Sequence, residues 1–483
     1  MTVISSPGKV LIAGGYLVLD NKYSGLVVST SSRFYTVVQQ STGHDAVIRV
    51  RSPQFLGAVW HYSVATEPAV SVDALPDNAS KNKFVHLALQ NTLALVAEIK
   101  GPQHIKTALK SGLDISIVGG NDFYSQRAQL AALGLPRTLE SLEKIPPFVP
   151  TGVPISEVHK TGLGSSAALI TSLVSSLLLH LSVLSPTDLE DVNTEGRRLA
   201  HNLSQFIHCL AQGKVGSGFD VAAAVFGSHI YTRFDPVVLK ELMGDESPKS
   251  QSLLGIISPS NTDWDYRVEE FQLPPLTRIM LADVDAGSDT PSLVGKVLKW
   301  RKDDSKTADA LWSSLDEQNM ALAKHIGKLT SLYKDDPKGY SQAVESLATL
   351  PTTEWKSTEP VAVVFNDVHQ TSQAIRGKLR EMGTLSGVPI EPVEQTELLD
   401  LCIAQPGVIG GGVPGAGGYD ALWLLVFDSE TLTGEKPVHR IENVWAGYTK
   451  LDVSPLSAVE SMAKGARVEE PASIPGLEAA IAK

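Results

Sequence analysis

Cysteine is nearly absent: the 483 residues include only Cys209 and Cys402. Two cysteines cannot build a disulfide framework, so a reducing compartment is expected, and both, set in apolar surroundings, read as core residues. Positive charge is also scarce. Lysine and arginine number 41 against 53 aspartates and glutamates, a formal net charge of −12. That balance argues against nucleic acid and anionic membranes as main partners. Long clean hydrophobic runs are missing too. The best candidate, Leu169 to Leu184, carries Thr171, Ser172, Ser175, Ser176 and His180, and reads as a buried helix rather than a membrane span. No basic residue precedes Lys9, and Pro7-Gly8 interrupts the first apolar run, so no secretory signal is expected. Ala480 to Lys483 is not a peroxisomal tripeptide, and the cytoplasm is the expected location.

What is present is a globular balance, 43% hydrophobic and 19% charged, able to bury a substantial core. Strand signals dominate the start, in Gly25 to Thr30, Phe34 to Gln39 and Ala46 to Val50. Helical spacing runs over Phe84 to Ile99, and Leu113 to Val118 alternates like a strand before the turn Gly119-Gly120-Asn121-Asp122. A helix is expected to Leu184 and a second over Pro186 to Gln212. Further on, Arg278 to Val284 and Ala421 to Phe427 read as strands. Leu293 to Trp300, Thr307 to Tyr333 and Trp355 to Met382 read as helices, the last broken near Pro360. Residues from about 453 on are loosely patterned and expected to be peripheral. Strands and helices without strict βαβ alternation predict an α+β fold. The polar stretch Gly244 to Gln251 suggests a linker, dividing the chain into domains 1–245 and 246–483.

The chemistry concentrates in Lys160-Thr161-Gly162-Leu163-Gly164-Ser165-Ser166-Ala167-Ala168. Glycines allow a tight turn and close approach to a ligand, and the serines can cap the helix that follows. A helix N-terminus offers unpaired N–H groups and partial positive charge, a seat for phosphate, and serine hydroxyls beside it can reach a phosphate-bound Mg²⁺. A plain glycine turn with a capped core helix fits the same residues. A dinucleotide fingerprint needs a strand ending in an acidic residue about twenty positions on. Asp188 has that spacing but lies in the helix cap Ser185-Pro186-Thr187-Asp188, with no strand between. No Walker A string occurs, nor do the signatures of protein kinases.

Two further segments add specificity: Pro7-Gly8-Lys9-Val10-Leu11-Ile12-Ala13-Gly14-Gly15-Tyr16 and Gly410-Gly411-Gly412-Val413-Pro414-Gly415-Ala416-Gly417-Gly418-Tyr419-Asp420. With the central motif, these resemble the three signature motifs of the GHMP kinase superfamily, in order, across residues 5 to 450. GKVLIAGGYLVLD, NDFYSQ and GSGFDVAAA are similar to the fungal and plant branch whose acceptor is 5-phosphomevalonate. Gly14-Gly15-Tyr16 stands where many members carry Gly-Glu-His, which favours that branch.

The resemblance implies two domains with the active site in the cleft between them. It also implies ATP- and Mg²⁺-dependent phosphorylation of 5-phosphomevalonate to 5-diphosphomevalonate, in isoprenoid and sterol precursor synthesis. Small molecules are then the partners, and monomer and homodimer stay equally open. Lys160, Gly162, Leu163, Gly164, Ser165, Ser166 and Ala167 would bind ATP, with Ser165 and Ser166 also reaching Mg²⁺. Lys9, on a glycine-flanked turn entering a strand, would be the catalytic cation. Asp220, in Gly216-Ser217-Gly218-Phe219-Asp220, would be the catalytic aspartate, although a helix cap fits it equally well. Lys9, Tyr16, Ser217, Ser288, Thr290, Gly415 and Gly417 would contact the acceptor. Lys160, Lys214 and Arg127 are further candidate cations, with ordinary surface charge as the alternative. A phosphate monoester with a second pKa of about 6 is already mostly anionic at neutral pH, so Asp220 is expected to orient Lys9 and the acceptor rather than remove a proton. Another small-molecule acceptor such as mevalonate, or a non-catalytic ligand sensor, remains open at this point.

Overall fold

The computed structural model describes residues 1–41, 46–76, 78, 80–244, 252–284, 290–356 and 358–482. Its architecture is α+β, built on two sheets. The first carries nine strands: β1 (Thr2–Ala13), β2 (Ser24–Gln40), β3 (Val47–Arg51), β4 (Val59–Ala65), β5 (Ser71–Ala74), β6 (Leu113–Gly119), β7 (His229–Thr232), β8 (Arg267–Glu270) and β13 (Arg467–Val468). The spatial order is β13-β1-β2-β6-β3-β4-β5, with β7 pairing the start of β2 and β8 pairing β7. Only β3 and β6 run parallel among the described pairs. The second sheet is antiparallel, β10-β11-β9-β12, from β9 (Thr277–Val284), β10 (Val408–Gly412), β11 (Ala421–Phe427) and β12 (Val453–Leu456).

β1 and β2 are long and β-branched, and almost every residue of both is buried. Their register slips between Pro7 and Lys9 and again between Leu11 and Ala13. Such irregularities bend a strand and re-aim its side chains, here at Lys9. The Ser165–His180 helix packs on both strands. It is apolar nearly all round, as a helix buried on all sides must be. Two of its buried serines bond locally or to β2: Ser176 Oγ donates to Ser172 O, and Ser172 Oγ lies 2.8 Å from Thr36 Oγ1. The Glu195–Gln212 and Phe219–Phe226 helices flank it, while the Ser305–Asp335 and Pro360–Ser386 helices pack together behind the second sheet.

Three sequence expectations are corrected here. The helix expected over Pro186 to Gln212 is two elements, a 3₁₀ turn at Pro186–Leu189 and a helix from Glu195. Ser185 and Asp188 close a capping box on the first, and Thr194 caps the second by accepting from Arg197 N. The helical region begun at Trp355 starts instead at Pro360, which occupies the first helical position, where its missing N–H costs nothing. Residues after 453 are not peripheral. β12 completes the second sheet, and β13 adds to β1 in the first.

Candidate active site

Gly162 and Gly164 both take positive φ, 78° in each case, so the loop turns sharply and Gly164 becomes the N-cap of the Ser165–His180 helix. The backbone N–H groups of Ser165, Ser166 and Ala167 open that helix and have no partner one turn earlier. Leu163 O accepts from Lys9 N at 2.9 Å, and Gly162 O accepts from Lys9 Nζ at 2.8 Å. The bulged β1 and the phosphate-type loop are thus tied at one residue, through main chain and side chain. The Lys9 ammonium also stands 5.4 Å from the Phe219 ring centre. Burial lowers its pKa, opposed by the nearby carboxylates of Asp220 and Asp420.

Asp220 sits in the first turn of the Phe219–Phe226 helix, its side chain 21% exposed. His208, on the Glu195–Gln212 helix, lies between this carboxylate and the loop: its Nε2 is 3.0 Å from Ser166 Oγ and 3.8 Å from Asp220 Oδ2. The turn before Asp220 is fixed from behind. Gly218 has φ 88°, and a Cβ there would meet Tyr231 Oη at 2.6 Å. Tyr231 Oη donates to Ser217 O. Arg233 donates to Val215 O at 3.1 Å and Gly216 O at 2.7 Å with one nitrogen, and to Leu19 O at 2.6 Å with the other. One guanidinium therefore joins the Asp220 turn to the turn that follows Tyr16.

The third glycine segment docks on the first. Gly415 N donates to Leu11 O at 3.1 Å, and a Cβ on Gly15 would lie 2.0 Å from Gly415 O. Tyr16 Oη donates to Ala416 O at 2.7 Å, so this tyrosine braces the two loops. Between these segments lies a cavity of about 220 Å³. Lys9, Tyr16, Gly162 and Ser217 line it from the first-sheet side, and Thr290, Gly415, Gly417 and Asp420 from the other. Much of the remaining wall is apolar, with Leu11, Val18, Phe219 and Leu281. The structure brings together Lys9, Tyr16, Gly162, Leu163, Ser217, Thr290, Gly415 and Gly417 around this space, with Gly164 and Asp220 adjoining Lys9, while Ser165 and Ser166 follow in the first turn of the helix and do not line the cavity.

Other candidates lie elsewhere. Lys160 and Lys214 are exposed and do not line the cavity. Arg127 is held by Asp283 at the end of β9, through the carboxylate and the main-chain oxygen at 2.9 Å, and by Asp452 O at 2.7 Å. Ser288 falls outside the described residues. Three residues escaped the sequence reading: Asp420, His208 and Arg233. Asp420 closes a glycine segment already singled out, and an acidic residue directly after that loop was the available signal. The other two lie on a helix and past a strand with no local mark of their use.

For a divalent cation, the described residues contain no cluster of three or more metal-ligating side chains. Hydroxyl oxygens, with the carboxylates of Asp220 and Asp420 close to Lys9, suit Mg²⁺ held mainly by substrate phosphates and water, not a resident ion in a protein cage.

No protein-family profile matches the chain. It is 38% identical over 485 residues to the phosphomevalonate kinase, peroxisomal, of Arabidopsis thaliana, covering 93% of each chain. With the phosphomevalonate kinase of Aspergillus fumigatus it shares 38% identity over 465 residues, 89% of this chain and 88% of that one. Among solved structures it resembles a phosphomevalonate kinase of Streptococcus pneumoniae in complex with phosphomevalonate and AMPPNP. That match has TM-score 0.58 at 16% identity and covers 95% of this chain and all of the other. The Lin0012 protein of Listeria innocua is similar at TM-score 0.61 and 16% identity, over 97% and 99% of the two chains. At such identities the structural likeness speaks for the fold.

Proposed function

The chain belongs to the phosphomevalonate kinases of the GHMP superfamily, and on that premise we propose how its residues carry the reaction. It phosphorylates 5-phosphomevalonate to 5-diphosphomevalonate in the mevalonate pathway, with ATP as donor. The position of Lys9 carries the assignment of roles: its ammonium rests on the Gly162 carbonyl of the phosphate-type loop while lining the cavity on the acceptor side.

Phosphoryl transfer asks a protein mainly for positioning and charge stabilisation. The N–H groups opening the Ser165–His180 helix, with Gly162, Leu163, Gly164 and Ala167, cradle the ATP phosphates. Ser165 and Ser166 would hold the Mg²⁺ of Mg·ATP, whose charge would offset that of the phosphates. Lys160, at the entrance to the loop, is the outer ATP contact. Lys9 stands at the point of transfer, its charge supported by Asp220 and Asp420. Tyr16, Ser217, Thr290, Gly415 and Gly417 shape the acceptor cavity, and Ser288, outside the described residues, is a further candidate contact. Because the acceptor phosphate is already anionic near neutrality, Asp220 fixes Lys9 rather than acting as base. Residues 1–245 form the nucleotide side and 246–483 the acceptor side, with β8 and β13 lent back to the first sheet. The two cysteines are free and buried, which fits a reducing compartment, and we place the protein in the cytoplasm. No helix among the described residues is long and apolar enough to cross a membrane.

Release of ADP from Mg·ATP, compared with phosphomevalonate, mevalonate and no acceptor, tests this reading. Turnover is expected with phosphomevalonate alone. Lys9→Met should lower kcat by roughly a thousandfold while ATP binding persists, the scale of losing a transition-state charge contact. Equal turnover with mevalonate, or an unimpaired Lys9→Met enzyme, would overturn it.

A further inference from the structure

A second cavity, of about 400 Å³, lies at the far end of the helices that build the active site. Phe219 lines the catalytic cavity and Phe226 the second one, so the length of one short helix separates them, about 10 Å. The Glu195–Gln212 helix spans the same gap, placing His208 beside Ser166 and Arg198 and Asn202 in the second cavity. No residue lines both.

Its chemistry differs from that of the catalytic cavity. Trp264 and Tyr266 form one wall, their rings packed edge to face at 6.4 Å. His201 backs this wall, 4.3 Å from Tyr266 and 5.1 Å from Phe226 ring to ring, and burial pushes its pKa down to about 4, so it adds no charge. Arg198 and Arg267 stand at the rim, on the Glu195–Gln212 helix and on β8. Neither makes an ion pair with a described residue, in a protein with twelve more acidic than basic side chains. Asn193 and Asn202 contribute amides, and Glu269 is the only carboxylate in the lining.

Guanidinium groups present a fork of donors matched to phosphate and carboxylate, and ring walls accept a flat or apolar body. The volume falls in the range of small-molecule sites. We propose that this cavity is a second ligand site, distinct from the catalytic one, for an organic anion that pairs an aromatic or apolar body with an oxyanion head held by Arg198 and Arg267.

The probe is 1-anilinonaphthalene-8-sulfonate, an aromatic oxyanion, titrated by fluorescence into the full chain with the catalytic site filled by Mg·ATP and phosphomevalonate. Saturable binding of one equivalent is expected under those conditions. The double variant Arg198→Ala/Arg267→Ala should weaken it by roughly tenfold or more, the scale of losing charge-assisted contacts. Turnover and thermal midpoint should stay those of the parent, since both side chains are exposed. Tyr266→Leu should weaken binding through the other half of the site. Binding indifferent to the arginine pair, or displaced by Mg·ATP and phosphomevalonate, would overturn the assignment, as would uptake that never saturates.

Discussion

Lys9 is held by opposing forces. Burial disfavours its charge and lowers its pKa on balance, while Asp220 and Asp420 oppose that shift and the Gly162 carbonyl accepts from its ammonium. The use we propose for Asp220, fixing Lys9, involves no proton. The Asp220→Asn enzyme is expected to lose roughly a hundredfold in kcat, the scale of a misplaced reacting group. Its rate should still fall below a pH of about 6, as the acceptor phosphate takes up its second proton. Profiles of kcat/KM against pH for both enzymes check this: a limb that vanishes in the variant would belong to Asp220, and the positioning role would fail. Arg233 acts at the same scale without touching the cavity. By bonding Leu19, Val215 and Gly216 through their carbonyls, it sets the spacing of two turns that carry Tyr16 and Asp220. Lysine, with one ammonium and no fork, could not span the three.

At the scale of elements, the three glycine segments meet backbone to backbone, and the individual glycines are not equivalent. A Cβ on Gly417 would lie 2.1 Å from Ile390 O, at φ 71°. Gly415 has φ 62° with nothing within 4 Å of a built Cβ. Gly415→Ala is expected to cost about 1 kcal/mol of stability, from backbone strain alone. Gly417→Ala adds overpacking and should cost about 2–4 kcal/mol. Urea midpoints of the two variants measure the difference; equal losses would mean that the loop yields freely. That these segments matter was legible in their glycine density, and that they meet was implied by family resemblance. Which glycine is crowded was not legible, because Ile390 is remote in sequence. The same limit explains the split at Pro186–Leu189. Local apolar spacing carried through it, while the caps at Ser185 and Thr194 ended one element and started another. Strands β2, β6, β9 and β11 were readable because their apolar runs are largely buried on both faces. β12 and β13, at four and two residues, are too short to carry a pattern.

Across the whole molecule, the last thirty or so residues stitch the two sheets together. Ser457 donates to the buried Asp122 from both its N–H and its hydroxyl. Glu460 pairs with Thr30 on β2 through main chain, and accepts from Ser228 Oγ at 2.9 Å and Leu273 N at 3.0 Å. Arg33 reaches Gly465 O and Glu469. Burial raises the Glu460 pKa from 4.5 to about 7. The folded state then binds the proton more tightly than the unfolded chain, so stability declines as pH rises from 4.5 to about 7, by about 3 kcal/mol at most. Glu460→Gln stays neutral and should melt higher than the parent at pH 8, with the gap closing toward pH 4.5. A constant gap across that range would remove Glu460 as its cause. The antiparallel pairing of β13 with β1 has one more consequence, for biosynthesis. β1 leaves the ribosome well before its outer neighbour, which emerges more than 450 residues later. While those intervening residues are made, that margin of the first sheet stays open, and it can close only after β13 has emerged. The nascent chain is therefore exposed to pairing with foreign strands for the whole of that interval.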